Sequence, residues 1–429
     1  MNSALEPYTR TGDPAFRVEH YDLDLDYRVG PNRLTGQARI RLTGLTRTNA
    51  LRFDFSGLRV SKVRVGGKKA GFAHTGRQLT VRPSGGLDAG QELTVTIDYG
   101  GVPEPHEGLW GDVGWEELTD GALVAGQPDG AGTWFPCNDH PGDKATHSIA
   151  VSVDGDYTVV SNGRLVSRRR KAGRTRWEWE SESPMAPYLA TVQVGQYRIE
   201  DVPDPQPVPL GEPVRIWAAV PPVMWPRLRE GLGRQHAMMR VFADMFGPFP
   251  FDSYGAVVTE DDLEIPLESQ PLSVFGPNHF RSGWEAERLV AHELAHQWFG
   301  NSVTPTRWQD IWLNEGFACY SEWLWSEASG RKPAAEHATL HRARLRRPAG
   351  APLVDPGAER MFDDWVYKAG ALTLHALRGF AGDAAFFALL RDWATEHRHG
   401  SVTTDTFQTH VFRHLGSEGR DLLRSHLEG

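Results

Sequence analysis

The chain has 429 residues, enough for two or three domains of ordinary size and at least one full hydrophobic core. Its 46 Lys and Arg stand against 55 Asp and Glu, a net charge of −9 spread through both halves, which argues against nucleic acid as the main partner. Hydrophobic residues make up 40% and no run approaches the ~20 apolar residues that cross a bilayer, so no membrane span is expected.

The first residues, Met1-Asn-Ser-Ala-Leu-Glu-Pro7, lack the basic-then-apolar order of a signal peptide, and the two cysteines, Cys137 and Cys319, lie far apart in sequence. Both features read as a cytoplasmic chain with reduced thiols. Sheet follows: Tyr21, Leu23, Leu25 and Tyr27 alternate with Asp22, Asp24 and Asp26, and Leu93, Val95, Ile97 and Tyr99 alternate with polar residues in the same way. Glycine pairs at 66–67, 85–86 and 100–101 read as turns, which favours an antiparallel sandwich or saddle over strand-helix alternation. The basic run Arg168 to Lys171 with Gly173 reads as a solvated hairpin, and the pattern continues to about Tyr197. A proline-rich stretch from Asp201 to Pro209 then reads as a loop. From about Met224 apolar spacing turns helical through Leu228, Leu232, Met238, Phe242 and Phe246, ended by Gly247-Pro248. His397, Arg398 and His399 read as a polar helix end. The 17 histidines and 15 tryptophans ask for metal or proton chemistry and for aromatic surfaces.

One segment carries chemistry. Ser282 with Glu285 three residues on resembles a capping box, and Gly300 offers a stop, so the stretch between reads as one helix. On it His292 and His296 stand four apart, one turn along a single face, where two imidazoles can reach one zinc. Glu293 between them is placed as a general base rather than a ligand. Eighteen residues after His296 intervene before Glu315, which a second helix beginning near Asp310 would fold back as the third ligand. Two His and one Glu leave an open coordination position, the pattern of a catalytic site. Glu322 and Asp310 are candidates to orient the imidazoles from behind.

From His292 through Glu322, with His-Glu-Leu-Ala-His-Gln-Trp-Phe-Gly-Asn301 and Trp312-Leu-Asn-Glu-Gly-Phe-Ala318, the sequence resembles the aminopeptidase N family of zinc metallopeptidases, the gluzincins. Trp134-Phe-Pro-Cys-Asn-Asp-His-Pro141 and Phe246-Gly-Pro-Phe-Pro-Phe251 are similar to further segments of that family. The resemblance implies an α+β fold: an N-terminal antiparallel β-sandwich or saddle domain over 1–197, then a mainly helical, thermolysin-like catalytic domain over 198–429. The family's Gly-x-Met-Glu-Asn loop corresponds to Ile265-Pro-Leu-Glu-Ser269, which puts Glu268 on the position that binds a free amino group, with Glu260, Asp261, Asp262 and Glu264 as competing acids. Gln127 matches the residue that shares the amine. Val366-Tyr-Lys-Ala-Gly-Ala371 resembles the family's Val-Tyr-Glu-Lys-Gly-Ala, so Tyr367 would stabilise an oxyanion, although Lys368 and Ala369 replace the Glu and Lys.

The expected function is a zinc aminopeptidase with one Zn²⁺ on His292, His296 and Glu315, acting on peptides with a free N-terminus. A zinc endopeptidase and a catalytically silent scaffold are the alternatives. Larger family members continue into a C-terminal helical domain that covers the cleft. A short form without it is expected to have an open cleft unless a homo-oligomer closes it.

Overall fold

Alternating burial builds the first long strand, Phe16–Arg28, whose Tyr21, Leu23, Leu25 and Tyr27 are fully buried while the aspartates between them face outward. The computed structural model describes residues 5–204, 214–281, 283–348 and 350–428. They form two compact units. The first holds the residues up to Ile199 with Ala219–Val223 and Val257–Asp261; the second holds Glu200–Ala218, Met224–Ala256 and the chain from Asp262 onward.

In the first unit an eight-stranded sheet is ordered Arg164–Lys171, Arg174–Met185, Ala145–Asp154, Phe16–Arg28, Arg33–Gly44, Glu92–Gly101, Arg59–Val65, Lys68–Lys69. A five-stranded and a three-stranded sheet complete this β-rich unit. The sheet is not wholly antiparallel: Phe16–Arg28 pairs in parallel with Ala145–Asp154, His20 opposite Thr146 and Asp26 opposite Ser152. Alternation reports which face is buried and carries no information on strand direction, so this pairing had no sequence signal. Gly100 and Gly101 lie within a strand rather than a turn, and glycine suits the position because a Cβ on Gly100 would stand 2.9 Å from the Leu34 carbonyl oxygen on the neighbouring strand. The basic run lies mostly on the strand Arg164–Lys171, and its turn is Ala172-Gly173, both at positive φ. In the Trp134–Pro141 segment, Trp134, Phe135 and Cys137 are buried, and the Asn138 amide donates to Asp143 at 2.6 Å while its oxygen accepts from the Asp13 N–H.

A further five-stranded sheet is ordered Arg198–Asp201, Arg215–Val220, Ser253–Val258, Leu272–Phe275, Leu267–Ser269. Residues 205–209 of the proline-rich stretch lie outside the described residues. Seven described helices follow in chain order: α1 (Trp225–Phe246), α2 (Trp284–His296), α3 (Trp312–Ala328), α4 (Ala334–Arg344), α5 (Asp364–Ala381), α6 (Asp383–Glu396) and α7 (Thr404–Glu428), the last broken at Gly416. None is long and apolar enough to cross a membrane. As the spacing predicts, α1 ends at Gly247, whose N–H bonds to the Ala243 carbonyl. Helix α2 is shorter than the 282–300 span expected. It stops at His296, where the Asn301 N–H folds back onto the His296 carbonyl at 2.9 Å, and Gly300 follows at φ +121°. Ser282 lies outside the described residues; Glu285 and Glu287 in the first turn complement the helix dipole.

Tryptophans fill cores. All but Trp110 and Trp284 are buried, so the aromatic count reflects packing rather than a binding surface.

Candidate metal centre and active site

The end of α2 and the first turns of α3 and α5 supply the site. His292 and His296 share a face of α2, their ring centroids 4.7 Å apart. Opposite them, Glu315 in the first turn of α3 brings Oε2 to 3.4 Å from His292 Nε2 and 3.6 Å from His296 Nε2. The outer nitrogens are already engaged. His292 Nδ1–H donates to Glu322 at 2.8 Å and His296 Nδ1–H to the Phe299 carbonyl at 3.1 Å, which leaves both Nε2 atoms turned to the centre. Asp310 does not share this work, contrary to expectation: it accepts from Thr404 at 2.6 Å and pairs with Arg307 at 2.9 Å. The backbone partner of His296 had no sequence signal.

Charge concentrates here. Burial opposes ionising His292, yet Glu315 and Glu322 raise its pKa to about 10; His296 rises to about 9 with Glu315 and Glu268 as the main cause against burial. The imidazoles in turn hold Glu315 down at about 2 despite its burial. Glu322 also sits at about 2, burial being overcome by Lys368 and His292. The carboxylates thus face two imidazoles across a buried centre where positive charge is favoured. Two imidazole nitrogens and one carboxylate oxygen, all within 4.8 Å of one another, match the donor set of an open zinc site.

Glu293, next to His292, has a buried Oε2 with no hydrogen-bond partner among the described residues, an orphaned acceptor that fits a polar group held at the centre. Burial, opposed by the two histidines and reinforced by Glu268, raises its carboxyl to about 7. Glu268 stands on the strand Leu267–Ser269, at the edge of its sheet, with a carboxylate oxygen within 4.8 Å of both Glu293 and His296. That strand is tied to the segment that follows α2: the side-chain amides of Gln297 and Asn301 donate to the Ser269 carbonyl at 3.2 and 2.9 Å. Tyr367, in the first turn of α5, lies with its ring 6.1 Å from His292, and burial together with Glu315, Glu268 and Glu293 holds its phenol protonated. Gly316 and Gly370 bring α5 this close, since a Cβ on Gly370 would stand 2.6 Å from Gly316 Cα. Gln127 belongs to the first unit, half-buried in the turn after the strand Gly121–Ala125.

Glu396, His397 and His410 also converge, but Arg413 bonds to Glu396 at 2.5 Å and to His410 at 2.9 Å, so a guanidinium already supplies the cation there.

Comparison with known proteins gives a consistent result. The Peptidase family M1 domain matches residues 234–425 and the Peptidase M1 N-terminal domain residues 17–189. A two-domain M1 zinc metallopeptidase bound to L-tryptophan is similar over 98% of this chain and 96% of its own, at 31% identity and TM-score 0.89. An M1 zinc metallopeptidase mutant from Deinococcus radiodurans, bound to a Tyr-Ser-Ala substrate, matches at 29% identity and TM-score 0.87, over 98% of this chain and 95% of its own. A leucyl aminopeptidase from Saccharolobus solfataricus is 26% identical over 86% of this chain and 48% of its own length. The chain thus spans about half the length of the curated relatives it matches.

Proposed function

The chain belongs to peptidase family M1, and from that premise we propose that it is a zinc aminopeptidase, removing the N-terminal residue of peptides. The observation that carries the reading is the convergence of His292, His296 and Glu315 beside the orphaned Oε2 of Glu293. These three residues would hold a single zinc, which when bound supplies a Lewis acid that polarises the scissile carbonyl and acidifies water. Glu293 takes the proton of the attacking water and returns it to the leaving amine, a cycle suited to a carboxyl lifted to about 7. Tyr367 donates its phenolic hydrogen to the oxyanion that forms when water adds. Glu268 accepts hydrogen bonds from the substrate ammonium, selecting chain ends over internal bonds; for Gln127 the family likeness alone supports a share in the amine. Residues 1–197 serve as the N-terminal domain and 198–429 as the catalytic one. The aminopeptidase names of the relatives and the tripeptide bound by the Deinococcus protein support this reading.

A free-amine peptide and its N-acetylated twin test it. The aminopeptidase cleaves only the first; equal cleavage of both would make the protein an endopeptidase, and cleavage of neither by zinc-replete protein would leave a silent scaffold.

A further inference from the structure

Helices α2 to α5 and the turn between α3 and α4 line a half-open cavity of about 590 Å³ that the proposed chemistry leaves unused. Two of its wall residues adjoin the metal centre. Glu322 holds His292 through one oxygen and faces Arg288 at 3.4 Å through the other, and Lys368 directly follows Tyr367 on α5. One carboxylate therefore separates the cavity from a ligand imidazole.

Its charge is unbalanced. Five cations, Arg288, Arg331, Lys332, Arg344 and Lys368, meet three carboxylates, Glu285, Glu322 and Asp364. Those carboxylates are engaged, Glu285 by Arg288 at 2.7 Å, Glu322 by His292 at 2.8 Å and Asp364 by Lys368 at 3.8 Å. Arg331 is engaged too, by Glu287 at 2.7 Å outside the cavity. Lys332 and Arg344 are exposed, and among the described residues no ion pair joins either to a carboxylate. Most of the remaining wall is aromatic, with Ser326 and Leu340 beside it: His341 stacks on Trp323 at 5.2 Å, and burial with nearby Lys368 keeps that imidazole uncharged, its pKa lowered to about 4.

We propose that this cavity receives a carboxylate from the leaving portion of the peptide, whether an acidic side chain or the C-terminus, on Lys332 and Arg344. A cationic, partly enclosed wall beside the reacting centre attracts an anion and has no counterpart for a neutral amide. An extended peptide advances about 3.5 Å per residue, so in a tri- or tetrapeptide the terminal carboxylate follows the scissile bond by ~10 Å or less. The direction of the peptide rests on the aminopeptidase reading; the affinity for carboxylate does not.

The test compares Ala-Ala-Ala as free acid and as C-terminal amide, and Ala-Glu-Ala-amide with Ala-Gln-Ala-amide, on the zinc-loaded enzyme. The first pair reads the terminal carboxylate and the second the side chain. At least one acidic member should be favoured about fivefold through KM, less so at high salt. In the double variant Lys332→Ser, Arg344→Ser the preference should fall below about twofold with turnover of the neutral amides unchanged. Equal handling of both pairs, or a preference that survives the double variant, overturns the proposal. Calorimetric binding of the same peptides to Glu293→Gln protein separates the two readings. Carboxylate-selective binding lost in the double variant sustains the cavity's role even where no peptide is cleaved, whereas cleavage without selectivity sustains only the aminopeptidase.

Discussion

Replacing Glu293 by glutamine preserves side-chain volume and removes a charge, so one substitution has two opposite effects. In the parent the carboxyl is raised from 4.5 to about 7 by burial and by Glu268, against the pull of His292 and His296. A carboxyl raised on folding binds more protons folded than unfolded, so stability falls as pH climbs from 4.5 to about 7 and stays lowered above that window. At about 1.4 kcal/mol per pH unit the loss amounts to ~3 kcal/mol. Glutamine resembles the protonated carboxyl and escapes the loss. Metal-free Glu293→Gln protein should therefore exceed the parent by ~3 kcal/mol at mildly alkaline pH and match it below pH 4.5, as measured by urea unfolding in chelator. Turnover of the zinc-loaded variant should meanwhile drop by about 10²–10⁴-fold with zinc content unchanged. A variant less stable than the parent at alkaline pH, or one that keeps most of its turnover with full zinc, would refute the placement of this carboxyl.

Tyr367→Phe removes the oxyanion donor alone and should lower kcat by about 10²–10³-fold with KM nearly unchanged, whereas a loss confined to KM contradicts that role. Glu322→Gln weakens the acceptor behind His292 and should cost about 10–100-fold in zinc affinity by chelator competition; an unchanged affinity would show that the 2.8 Å bond does not tune the ligand. Gly370→Ala drives a methyl toward Gly316 Cα, so α5 must shift away from α3. Stability should fall by about 1–3 kcal/mol in urea and kcat should fall while zinc affinity holds, because the shift displaces Tyr367 and not the ligands; an alanine variant of full stability and kcat speaks against the close contact.

The convergence of His292, His296 and Glu315 was legible because helix periodicity alone relates the first two, and a short return relates them to the third. What stayed hidden depends on backbone and on distant pairs. The Phe299 carbonyl that orients His296 has no side-chain signature, and Asp310, though well placed in sequence, is drawn off by Thr404 and Arg307. Glu268 was singled out only through family likeness, since one carboxylate on a three-residue edge strand carries no period. Lys368 registered as a departure from the family pattern; its place in a cationic cavity needed α2 to α5 assembled. In the β-rich unit, alternation identified the buried faces of Phe16–Arg28 and Glu92–Gly101 but not their neighbours.

The parallel pairing of Phe16–Arg28 with Ala145–Asp154 has a consequence for how the chain is made. His20 and Thr146 are 126 positions apart. At ribosomal speeds of ~5–20 residues per second, the first strand waits roughly 6 to 25 s for that neighbour. During this interval Arg33–Gly44 covers one edge while the other offers its backbone groups to any passing strand. Across the pairing with Arg33–Gly44, Asp22 stands opposite Arg39 and His20 opposite Arg41, so the waiting hairpin keeps a densely charged outer face of both signs that is costly to bury against another sheet, while its free edge stays open until Ala145–Asp154 arrives.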